Sequence, residues 1–230
     1  MSFIKVSLTT IIGFLTFTVL LSTGPAPATA QPAVEQIGIT TGVVNNNVRS
    51  NLGSMDSRTG LRVSLYTDVR LNRSIFTTAE FGYVQRGYNE ETEFVVPDGS
   101  EQGYSTDFVT GRASTGHLLL GLSANIEREL LGQTWYLGAG PRVEWLISRK
   151  NASYESDVFD EVVESELLDL LDDTSLGISA SAGLRNLAFG PANLRLELRY
   201  DYDLTDAMSD YPRTYRNHGF AVTVGLGLRP

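Results

Sequence analysis

Ten charged residues, Glu80, Arg86, Arg142, Glu144, Arg185, Arg195, Glu197, Arg199, Asp201 and Asp203, fall on the faces of period-two segments that lie opposite the apolar residues. Charges in such rows could line a channel, grip a substrate, or pair with one another. Pairing is favoured if the face is closed off from water, because a buried charge without a partner is rare and costly. The triplet Arg195, Glu197 and Arg199 shares one face and is expected to pair with Glu80 and Glu144 on other segments.

A second feature is the stretch 155 to 173, with nine acids and no base: Glu155, Asp157, Asp160, Glu161, Glu164, Glu166, Asp169, Asp172 and Asp173. Phe159, Val162, Val163, Leu167, Leu170 and Leu171 recur within it at helical spacing, which predicts a short amphipathic helix. Such a segment could dock a partner, hold a divalent cation through hard oxygens, or lid the body of the molecule; calcium-loop spacing with a central glycine is missing.

His117 and His218 are the only histidines. Each is placed at the end of a different strand, the fourth and the eighth, so a convergent zinc site or nucleophilic triad is not supported. No glycine-rich phosphate loop and no Gly-x-Ser-x-Gly motif occurs. No catalytic, cofactor-binding or metal-ligating residue is therefore singled out, and the expectation is a protein that is not an enzyme and takes no cofactor. A barrel hydrolase with a serine or an Asp/His pair at its rim is kept as the least favoured alternative.

The elements that position the charges read as strands. Residues 117 to 126 put Leu118, Leu120, Leu122, Ala124 and Ile126 on one face and His117, Gly121, Ser123 and Asn125 on the other, with Leu119 the exception. Residues 194 to 204 and 220 to 228 repeat the alternation. Five more strands are predicted at 36 to 44, 60 to 70, 75 to 88, 134 to 148 and 175 to 186. In the third, Phe76 and Val84 share a face with Glu80 and Arg86, which leaves its register the least defined.

Eight segments of this length suit a tilted membrane-crossing strand. Their connections alternate: short near 72 to 74, 127 to 133 and 186 to 193, long near 45 to 59, 89 to 116, 149 to 174 and 205 to 217. Short periplasmic turns and long outer loops are the habit of transmembrane barrels, and an even strand number leaves both termini on the periplasmic side. Trp135 and Trp145 lie ten residues apart on one face. At about 3.3 Å per residue and a tilt near 40° they are separated by roughly 25 Å along the membrane normal, the height of an apolar band between aromatic girdles. The fold expected is all-β: an eight-stranded antiparallel up-and-down transmembrane barrel with long outer loops and short periplasmic turns, favoured over a soluble barrel of the lipocalin kind.

Lys5, the eleven-residue apolar run 11 to 21 and the Ala28-Thr29-Ala30 site form a secretory signal expected to be cut after Ala30. The run is about half of the ~20 residues that span a bilayer as a helix. Two parts result, a signal peptide at 1–30 and a barrel domain at 31–230. The chain has no cysteine and a formal net charge of −9, which loss of Lys5 makes −10. An acidic balance argues against nucleic acid or anionic lipid headgroups as partners.

Ala79 to Gly87, Leu137 to Val143, Leu176 to Leu184, Leu194 to Tyr200 and Val222 to Leu228, in that order, resemble the PorT-like outer-membrane β-barrel family. The resemblance implies a porin-like barrel in the outer membrane of a Bacteroidetes-like bacterium. It also implies, for a minority of members, a part in transport or protein secretion. A barrel of this kind is expected to meet outer-membrane lipid and the barrel assembly machinery, and its acidic outer loops a protein partner. The chain ends Leu228-Arg229-Pro230, without the terminal aromatic that many such barrels present.

Overall fold

In a computed structural model, residues 33–50, 53–54, 56–97, 104–156, 163–165, 171–207 and 215–230 are described. Residues 1–30, and with them the expected signal peptide, lie outside that set. Eight long strands follow one another: β1 (Ala33–Ser50), β2 (Asp56–Arg70), β3 (Ile75–Pro97), β4 (Tyr104–Leu130), β5 (Gln133–Ser156), β6 (Thr174–Phe189), β7 (Ala192–Asp203) and β8 (Tyr215–Leu228). Each pairs antiparallel with the next, and β8 pairs with β1, so the sheet closes on itself. Two short strands, Gly53–Ser54 and Val163–Ser165, attach to the outer ends of β1 and β5.

The pairing fixes the geometry of the tube. Val34 meets Val69, Thr77 meets Ala124, Ala139 meets Ala180, Tyr200 meets Phe220, and Phe220 returns to β1 at Asn45. The circuit advances from position 34 to position 45, and one step is the bulge between Val34 and Gln36. The stagger is therefore ten residues, which for eight strands corresponds to a tilt of about 40° and an interior just wide enough for side chains to fill it.

Alternation decides which face is which. Ile37, Ile39, Val43, Leu61, Leu65, Phe81, Leu137, Ile178, Leu198, Phe220 and Leu226 all point outward, with Leu137 as much as 68% exposed. An apolar outer wall of this extent is stable only against lipid. Phe76 and Val84 are wholly buried with Glu80 and Arg86, which settles the register of β3. Leu119, the exception in its segment, points inward and is also fully buried.

The strands run well past the predicted segments. β3 and β4 have 23 and 27 residues, against the 9 to 11 or so that cross a bilayer. Much of what reads as long outer loop is the continuation of three hairpins, paired out to Pro97 with Tyr104 in the longest. By sequence these outer stretches lack the apolar alternation that betrays a strand. The helix predicted within 155 to 173 is not found where the chain is described: Val163–Ser165 is a strand paired with Ala152–Tyr154. The remainder of that prediction falls at 157–162 and 166–170, outside the described residues.

One interruption in the wall has a covalent cause. Between the pairs Gly121–Arg142 and Ala124–Ala139, the β4–β5 ladder lapses at Gly140-Pro141. Proline has no N–H to give to β4. Gly140 closes the gap by close approach: a Cβ there would stand 1.9 Å from the Leu122 carbonyl oxygen.

Candidate functional site

The interior is the densest concentration of chemistry in the molecule. Among the described residues, six arginines (62, 86, 142, 185, 195, 199) and six carboxylates (Asp68, Glu80, Glu144, Glu197, Asp201, Asp203) are buried. No lysine is among them, in keeping with the planar fork of arginine, which satisfies carboxylates in pairs. Inward projection from alternate positions of β2, β3, β5, β6 and β7 brings them into one column.

At the periplasmic end, Arg70 donates to Glu127 Oε1 at 2.6 Å and to Glu35 Oε1 at 2.7 Å. Arg185 bridges the same two carboxylates and lies 4.0 Å over the Phe76 ring. In the middle, Arg195 donates to Glu197 and to the Tyr136 hydroxyl, which itself donates to Glu197 at 2.5 Å. Arg199 joins Glu197 to Glu80, and Arg62 joins Glu80 to Asp201 at 3.0 Å. At the outer end, Arg86 grips Glu144 with two bonds of 2.6 Å, while Arg142 binds Glu144 and Asp203. Asn217 completes Asp203.

All ten charges read from the sequence as inward-facing are inward and buried. Arg195, Glu197 and Arg199 form the predicted network with Glu80. Glu144 does not join them: it pairs with Arg86 and Arg142, one tier further out. Arg62 and Asp68 were missed, although they alternate with Leu61, Val63, Leu65 and Val69 in a segment whose apolar face alone was read. Tyr136 was missed as well, because nothing in a sequence marks a tyrosine whose hydroxyl sits between a cation and an anion.

The histidines part company. His117 faces the outer mouth, where Nε2 lies 2.9 Å from Thr115 Oγ1. His218 faces outward against Tyr200, which stacks on Phe220 at 4.8 Å. Among the described residues no three metal-ligating side chains come together. The mouth itself is partly roofed by the last described part of the acidic stretch. Leu171 packs with Ala207 against Val48 and Tyr215, and Asp172 N donates to Ala207 O. Beneath lies a cavity of about 40 Å³ lined in part by Arg86, His117, Asp172 and Asn217, room for a few waters.

A family model described as outer membrane protein beta-barrel domain matches residues 30–209. No curated protein matches the chain. Among solved structures, Neisserial surface protein A is similar at 15% identity and TM-score 0.45, with 82% of this chain and 95% of that chain covered. Ail of Yersinia pestis is similar at 11% and 0.41, covering 85% and 100%. The outer membrane protease OmpT of Escherichia coli is similar at 11% and 0.34, covering 88% and 99%.

Proposed function

The chain belongs to the outer membrane protein beta-barrel domain family, and from that footing we propose that it is a non-enzymatic, non-conducting outer-membrane protein that works through its acidic outer hairpins. The observation that carries this reading is the pairing inside: among the described residues, six buried arginines meet six buried carboxylates, so the filled lumen carries no large net charge. The negative excess of the chain belongs to the outer rim. By sequence, residues 89–116 carry −5 and residues 149–174 carry −7. A surface of that sign suits a basic protein segment.

In this reading the chain reaches the outer membrane after cleavage at Ala30, with its long hairpins outside. A secretion component of the PorT type would use the same hairpins. Photo-cross-linkers at Glu91 and Glu164 in native membranes test the proposal. They should trap a discrete partner, lost in high salt, while a cross-linker at Leu226 on the lipid face traps none. Steady ohmic openings in planar bilayers, or a serine labelled by a fluorophosphonate, would overturn it; identification of the partner as a secretion protein would favour the PorT role.

A further inference from the structure

Arg49 on β1 and Arg216 on β8 are direct partners across the seam that closes the barrel. Both point outward, since their neighbours Val48 and Tyr215 are buried. Directly opposed side chains stand about 5 Å apart at Cβ, and two like charges there are destabilising. Arg216 has partial relief, because its Nε donates to Asp206 Oδ1 at 3.1 Å. Among the described residues Arg49 has no bond of this kind. Below the pair the same faces carry His218 opposite Asn47 and Phe220 opposite Asn45, then the apolar wall of Val222, Val224 and Leu226. Phe220 and Tyr200 mark the aromatic belt, and four residues of tilted strand place Arg216 roughly 10 Å above Phe220, at headgroup height.

The rim is uneven in charge. By sequence the connections flanking this seam, 45–59 and 205–217, carry +1 and 0, while the two on the far side carry −5 and −7. The exclusion of anionic lipids that follows from the net charge therefore fails at the seam. We propose that Arg49 and Arg216 bind the phosphorylated headgroup of an anionic outer-leaflet lipid, whose phosphate relieves their repulsion and whose acyl chains lie on the Phe220–Leu226 wall. This rests only on membrane insertion and is independent of the role assigned to the acidic hairpins.

The mature barrel in dodecyl-maltoside is titrated with bisphosphorylated lipid A and adducts are counted by native mass spectrometry. A saturable adduct is expected, weakened at least about tenfold in the Arg49→Gln/Arg216→Gln variant by loss of charge-assisted bonds to phosphate. Arg128→Gln, at a periplasmic turn, should bind as the parent does. Equal binding by the double variant, or equal binding of dephosphorylated lipid A, would overturn the proposal. Displacement by millimolar inorganic phosphate would show a free-anion site and overturn the lipid assignment. Arg49→Glu keeps the test sharp should the double variant fold poorly. It replaces repulsion by attraction, so it should melt higher than the parent without lipid and show no stabilisation by lipid A. A lower melting point, or retained stabilisation, would refute the mechanism.

Discussion

Glu197 receives bonds from Arg195, Arg199 and Tyr136 in an interior from which water is largely excluded. Removing it takes a carboxylate partner from two buried guanidinium groups, leaving Arg199 with Glu80 and Arg195 with Asp68, and loss of one partner of a buried ion pair typically costs about 3 to 5 kcal/mol. Asp173 pairs with Arg149 at 2.9 Å, but its side chain is 43% exposed, and such surface pairs contribute about 0 to 1 kcal/mol. Glu197→Ala should therefore lower the unfolding temperature in detergent far more than Asp173→Ala. If both were equally mild, the column of charges would not be what holds the interior together. The partners of Glu197 were largely readable from alternation, because period two puts Arg195 and Arg199 on its own face. That Glu144 belongs to a different tier was not readable. Alternation gives the face of a residue but not its height, and height depends on the ten-residue stagger, which only the pairing reveals.

Turns and ladders carry their own demands. The β4–β5 turn is made of Leu131 and Gly132, both with positive φ, 55° and 73°. Two left-handed residues define the tight hairpin turn that prefers Asn-Gly, and a leucine there is strained by about 1 kcal/mol or more. Leu131→Asn should raise stability by about 0.5 to 1 kcal/mol, seen as a higher melting temperature; no gain would mean that Leu131, which is 89% exposed, is anchored by something outside the protein. Gly140→Val should do the reverse. Its Cβ has no room beside the Leu122 carbonyl, so β4 and β5 would part, and the expected result is loss of the compact, heat-modifiable band on unboiled gels. A normal band would show that the wall flexes there. The place of the short turns was legible from Asn, Gly and Pro, and the strand cores from their apolar faces. The outer halves of β3, β4 and β5 were not, since their residues lack apolar alternation and read as polar loop.

As a whole the molecule divides into a membrane-embedded, salt-bridged tube and hairpins that stand above it. Arg86, with Glu144 and Asp203, is the outermost tier of the buried network, and the β3–β4 ladder continues well beyond it, through Glu91 paired with Thr110 to Pro97 paired with Tyr104. Among the described residues the ion pairs of the network end at this tier. Hairpin backbone bonds exposed to water contribute little net stability, because the unfolded chain makes equivalent bonds to solvent. Replacing residues 92–109 by Asn-Gly would join Glu91 to Thr110 through a two-residue turn of the favoured kind. The shortened barrel should keep its heat-dependent gel shift and melt within about 5 °C of the parent, a change that corresponds to roughly 1 to 2 kcal/mol in a domain of this size. It should at the same time lose the cross-linked partner trapped at Glu91 while retaining lipid A binding at Arg49 and Arg216, which lie on the opposite side of the rim. Failure to insert would show that the hairpin helps to build the tube, and undiminished partner capture elsewhere on the rim would move the docking role to residues 149–174.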